Sequence, residues 1–155
     1  PMKKTLAIVL FALSHPLAFG PPAQADQQAG PGLTQRTSPY SVADTLDRLD
    51  AVLRAKDIKV FARIDHSGEA QGAGLSLRPT QLLIFGNPKA GTPLMQAAPT
   101  VGLDLPMKVL AWQDDQGQVQ VAWNSPDYLI GRHGLDAAYV RNLAAINGLI
   151  DAALK

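Results

Sequence analysis

Five polar side chains stand at the margins of apolar runs in the middle of the chain. His66 follows "IKVFARID", Arg78 precedes "QLLIF", Asn87 and Lys89 follow it, and Lys108 enters "MKVLAW". Strand ends and the loops beyond them are where a rigid sheet presents chemistry to solvent. Imidazole titrates near neutral pH and can act as a ligand or a proton carrier. Guanidinium offers a planar, two-pronged donor to carboxylate or phosphate, and an ammonium adds a point charge. Gathered in one cleft, these five residues would bind a small anionic or metal-containing ligand. The same side chains also have plain structural uses. His66 can close a turn on backbone groups, and Arg78 and Lys108 can pair with Asp65, Glu69 or Asp104. Pro79 fixes its own φ and holds Arg78 extended, which partly sets the direction of the arginine.

Other chemistries fit the residues less well. "GNPKAGTP" has the glycines of a phosphate loop without its Gly-Lys-Ser/Thr ending. Met95, Met107, His66 and His133 form a copper-compatible ligand set, but no MxxM or HxxxH spacing gathers them, so no metal site is assigned. Ser67 adjoins His66, yet neighbours in an extended segment point to opposite sides, and there is no GxSxG. The residues name no cofactor.

The elements that must position the five are readable from their periodicity. "SVADTLDRLDAVLRAK" opens on Ser41 as N-cap, carries Asp44 in its first turn, and sets Val42, Leu46, Leu49 and Leu53 on one helical stripe. "IKVFARID" alternates as a half-buried strand. "QLLIF", bounded by Pro79 and Gly86, is continuously apolar and reads as a central strand covered on both faces. "GNP" turns the chain out of it, and "TPLMQ" starts a short helix with Thr92 as N-cap and Pro93 at its first position. "MKVLAW" and "QVQVAWN" flank "QDDQG" as an antiparallel hairpin, whose tryptophans Trp112 and Trp123 have packing as their default role. "SPDYLIGRHG" is a helix capped by Ser125, and Tyr139, Leu143, Ile146 and Ile150 mark a terminal one. These elements predict a single-domain α+β two-layer sandwich, a mostly antiparallel sheet with helices on one face.

The N-terminus has another purpose. Lys3-Lys4, the apolar run "TLAIVLFAL" and the small-residue site "AQA" at Ala23–Ala25 have the layout of a secretory signal, residues 1–25, too short in its apolar part to span a bilayer. Removing 25 of the 155 residues leaves 130, enough for one domain, with 12 basic residues against 13 acidic ones. That balance does not suit nucleic acid. The expected location is exported, periplasmic or secreted, with no membrane attachment after cleavage. There is no cysteine, so the fold must stand on its core, without disulfides, thiolate nucleophiles or cysteine-held metal. The polar "DQQAGPG" after the signal reads as a flexible leader, with the leader assigned to residues 26–36 and the domain to 37–155.

The stretch from "IDHSGEAQG" through "LRPTQLLIFGNPKAGTPLMQ" and "LPMKVL" to "SPDYL" resembles the DUF302 family, a domain of unknown function. The likeness runs from about Thr37 to Leu154. It implies a compact α+β domain in which His66, Arg78, Asn87, Met95 and Lys108 match the family pattern, and it brings no reaction, substrate or cofactor. Three functions are therefore open. One is an exported domain binding a small anionic or metal-containing ligand at the strand ends. Another is an enzyme with His66 as acid or base and Arg78 as electrostatic stabiliser. The last is an interaction module whose sheet edge or helix face pairs with a second copy, as a homodimer, or with a partner chain. Convergence of His66, Arg78 and Lys108 on one pocket would favour the first two, and dispersal the third. The signal assignment predicts that protein recovered from the envelope of its host begins at or next to Asp26. N-terminal sequencing that finds Met2 retained would overturn it.

Overall fold

The computed structural model describes residues 30–155; the expected signal and the first part of the expected leader lie outside the described residues. Five strands form one antiparallel sheet: β1 (Leu33–Ser38), β2 (Lys59–Asp65), β3 (Thr80–Gly86), β4 (Met107–Gln113) and β5 (Val119–Asn124), in the order β1-β5-β4-β3-β2. The helices are α1 (Val42–Ala55), α2 (His66–Gly72), α3 (Pro88–Ala97), α4 (Pro126–Arg132), α5 (Val140–Leu143) and α6 (Ala145–Ala153), with 3-10 turns at Pro99–Leu103 and Ala137–Tyr139. This is the expected α+β sandwich with helices on one face.

Strand alternation decides which face is buried. Leu83 and Phe85 of β3, Val109 and Ala111 of β4, and Val121 and Trp123 of β5 join Leu46, Leu49 and Leu53 of α1 and Ile146, Leu149 and Ile150 of α6 in one core. Ser41 caps α1 by accepting from the Asp44 N–H, as its spacing predicts. The buried hydroxyl pair Ser38–Thr45, 2.6 Å apart, ties the end of β1 to α1, and the Trp123 indole donates to Asn147 Oδ1 of α6 at 3.1 Å.

Five expectations need correction. β1 starts at Leu33 and crosses the boundary drawn at residue 36, because its pairing with β5 from Leu33↔Asn124 to Ser38↔Val119 makes a strand of a segment with little apolar periodicity. β3 is next to the edge strand, not central, and only one of its faces is covered: Leu83 is 1% exposed, whereas Leu82 and Ile84 on the opposite face are half-buried. α2 was not expected. Its three glycines, Gly68 and Gly72 within it and Gly74 just beyond, mask the helix, which starts because Asp65 accepts from the Gly68 N–H. α3 begins a full turn before "TPLMQ": Asn87 is the N-cap and Pro88 the first residue, so Pro93 lies inside the helix and Thr92 caps nothing. The terminal apolar stripe is intact but its helix is divided at Ala144 between α5 and α6.

One-sided burial predicts a difference between neighbours. Leu83→Asp places a carboxylate without partner in the core and should cost several kcal/mol, enough to unfold the domain. Ile84→Asp, at a half-buried position, should cost about 1 kcal/mol, near the centre of ordinary point changes. Urea denaturation compares them, and equal loss in the two would mean that both faces of β3 are covered.

Candidate functional site

The register of the sheet places the five residues picked out by sequence. Thr80 pairs with Trp112 at one end of the β3–β4 ladder and Ile84 with Lys108 near the other. Those levels are four residues apart, about 14 Å along the strands. His66 and Arg78 lie at the Thr80 end, since Asp65 pairs with Gln81. Asn87, Lys89 and Lys108 lie at the opposite end. The five do not converge on one cleft.

Each has its own surroundings. His66 is exposed as the first residue of α2. Beside it the Ser67 hydroxyl first, and then the Gly68 N–H, hold the Asp65 carboxyl below its usual range. Arg78 is exposed and, among the described residues, makes no direct ion pair with Asp65, Glu69 or Asp104. Its charge acts on Asp114, whose carboxyl is held low mainly by the Gln120 amide, with backbone N–H groups of the hairpin turn and Arg78 adding to it. Lys108 is half-buried, and its Nζ donates to the backbone oxygens of Asp104 at 2.9 Å and Pro106 at 3.0 Å, not to a carboxylate. Lys89 is exposed in the first turn of α3, and its N–H donates to Asn87 Oδ1 at 2.9 Å. Among the described residues no three His, Cys, Asp or Glu side chains gather where they could hold a metal ion.

What the second end does contain is a cavity of about 340 Å³. Its floor is the end of the sheet, with Phe61 of β2, Phe85 and Gly86 of β3, and Met107 of β4. Its walls are the first half of α3, the Leu105–Pro106 segment and the α5–α6 junction, from Asn142 to Leu149. No charged side chain lines it. At Gly86, where β3 leaves the sheet, a Cβ would lie 3.3 Å from Pro106 Cβ, a tight approach; at Gly91 a Cβ would sit at ordinary contact, 3.5 Å from Leu105 Cδ1. Asn142 Nδ2 donates to Ala90 O at 3.1 Å and links α5 to α3 across the opening. Of the five sequence candidates only Asn87 lines this space; Met95 and Met107, considered as copper ligands, line it as apolar thioethers.

Sequence reasoning also missed a polar cluster behind the cavity wall. His133, just after α4, has a side chain 5% exposed. Its Nε2 lies 2.6 Å from Asp104 Oδ2 and its Nδ1 3.0 Å from Thr100 Oγ1. Arg132 Nη1 adds a contact of 3.3 Å to Asp104 Oδ1. Together with Lys108 these groups hold the segment from Thr100 to Pro106 at several points, and Leu105 and Pro106 of the wall follow directly from Asp104. A separation of 29 residues between Asp104 and His133 left no local signal.

Comparison with known proteins agrees with this architecture. The sequence model for the "Domain of unknown function DUF302" matches residues 34–153. The chain belongs to the DUF302 family. A crystal structure of an uncharacterized conserved DUF302 protein from Bacillus stearothermophilus superposes with a TM-score of 0.67 at 22% identity, covering 79% of this chain and 95% of that one. The DUF302 domain is also similar to curated proteins from Brucella. "Fluoride-specific ion channel FluC 1" of Brucella suis biovar 1 is 48% identical over 104 residues, 67% of this chain and 41% of that protein. "Fluoride-specific ion channel FluC 2" of Brucella melitensis biotype 1 is 48% identical over the same length, 38% of that protein. The chain thus spans about two fifths of the curated relatives it matches.

The cluster behind the wall predicts coupling. Asp104→Asn should cost about 1–3 kcal/mol, the range for a hydrogen-bonded charge with buried partners. His133→Gln should cost a similar amount, and the double variant clearly less than the two together. Urea unfolding of the three measures this, and strict additivity would mean that the two side chains act independently.

Proposed function

We propose that this DUF302 domain is a binding module for a neutral, largely apolar small molecule, held in the cavity between the sheet end and α3, α5 and α6. The observation that carries this is the lining: a space of about 340 Å³ with phenylalanine, methionine, leucine and isoleucine walls and no charged group. Ligand sites are concave, mostly apolar and upward of about 300 Å³, with a few placed polar groups. An anionic ligand would leave its charge unpaired there, at a desolvation penalty that the walls do not offset. The separation of His66 and Arg78 at one end of the sheet from Lys108 at the other likewise gives no support to a single charged strand-end cleft. We further propose that the domain acts after export, in the periplasm or outside the cell, a reading supported by the signal-like layout of residues 1–25 in the sequence.

A second role is favoured by the Brucella relatives. About three fifths of each lies outside the shared segment, and no helix among the described residues is long and apolar enough to cross a membrane. In those proteins the domain would be an appended module beside the part that the channel name describes, and here a module of the same kind acting on a membrane partner. Fluoride itself is a poor occupant of the cavity, since a small, strongly hydrated anion finds no charged or converging donor groups in it.

Gly91 provides the test. Gly91→Ala adds a methyl at ordinary contact distance and should leave the fold intact or slightly stabilised. Gly91→Leu projects further into the space. Naphthalene at saturating concentration should raise the melting temperature of the original protein and of Gly91→Ala, by the linkage of binding to folding, and should leave Gly91→Leu unmoved. Sodium fluoride, and the substitution Arg78→Leu, should change none of these shifts. A shift that persists in Gly91→Leu would place the binding elsewhere.

A further inference from the structure

The cavity also indicates what kind of apolar molecule it takes, an inference that rests on the binding role above. Its volume is about 340 Å³, roughly twice the 150 Å³ of an apolar protein cavity that holds one benzene. Two fused rings fill such a space. Two aromatic side chains, Phe61 and Phe85, and two thioethers, Met95 and Met107, line it, and both kinds of group make specific contacts with aromatic rings beyond simple area burial. A rigid bicycle also loses no internal rotation on binding, as a flexible chain of equal volume does.

Few polar side chains face the cavity. Asn87, Thr92 and Asn142 are the hydrogen-bonding side chains that line the cavity. Two of them are committed through one atom each: Asn87 Oδ1 accepts from the Lys89 N–H, and Asn142 Nδ2 donates to Ala90 O. Among the described residues that leaves Asn87 Nδ2 as a donor, Asn142 Oδ1 as an acceptor and the Thr92 hydroxyl as either. Asn87 and Thr92 come from the cap and first turns of α3 and Asn142 from α5, whereas the phenylalanines and Met107 come from the sheet. We propose that the ligand is a neutral, two-ring aromatic with a single hydroxyl or N–H on its edge, its rings between the sheet end and the helices and its polar edge against Asn142 and Thr92.

Calorimetric titration of the full chain with 1-naphthol, naphthalene and octan-1-ol tests this. 1-Naphthol should bind about tenfold more tightly than naphthalene, the increment of one net hydrogen bond, and octan-1-ol more weakly than either. Thr92→Val, which keeps the shape of the side chain, and Asn142→Leu should each narrow the gap between naphthol and naphthalene. Equal affinity for naphthol and naphthalene in the original protein would overturn the polar edge, and needs no variant to fold. Octan-1-ol binding as well as naphthalene would overturn the ring class and leave an apolar site for chains. If none of the three binds, the apolar-ligand role itself fails and this inference falls with it.

Discussion

The packing of α1 across the sheet is the constraint on which the remainder of the molecule depends. Leu46, Leu49 and Leu53 are at most 2% exposed and sit over β2, β3 and β4. With no disulfide to hold the chain, this seam and the Trp123–Asn147 contact that seats α6 beside it carry the layer structure. Helix and sheet can meet in this way on one face only, because strand alternation turns Leu82 and Ile84 to the other. The cavity follows from the same geometry. α1 and α6 cover the middle of the sheet, while the end where β3 leaves and β4 enters is roofed by α3, the Leu105–Pro106 segment and the α5–α6 junction, which bridge it without filling it.

Polar groups in this region act on the backbone more than on anything bound. Lys108 sits where a ligand-binding cation was expected, yet its ammonium is satisfied by two carbonyl oxygens of the segment that forms the wall. Asp104 holds the same segment through His133 and Arg132. A wall gripped at several points can keep an apolar space open, since collapse into it would break charged hydrogen bonds to gain a modest area of contact. The cluster and the cavity are in this sense one structure, with charge outside the wall and apolar surface inside.

The parts of the fold legible in the sequence are those whose signals are local. α1 carried its cap, its stripe and its first-turn acid within fourteen residues, and the hairpin carried its turn, so class and layers followed from periodicity. β1 could not be seen because its reason for being a strand is β5, more than eighty residues away in sequence. α3 was misplaced by a turn because two proline-initiated starts compete within "NPKAGTP", and the Asn87 cap prevails over the Thr92 one. The site was harder still. Five polar residues at strand ends looked like one group, although "QLLIF" already separates Arg78 from Asn87, and which end His66 and Lys108 share depends on strand pairing that no local pattern carries.

That ambiguity has a physical resolution with a consequence for function. β3 is seven residues long, so charges placed before and after it are separated by a length that no single side chain spans. Arg78 and His66 therefore belong to the hairpin-turn end of the sheet, where Arg78 lies in the field of Asp114 and where Leu75 and Leu77 are 68% and 48% exposed. The opposite end holds the uncharged cavity. A domain so divided can present a charged and partly apolar outer surface at one end while holding a neutral molecule at the other.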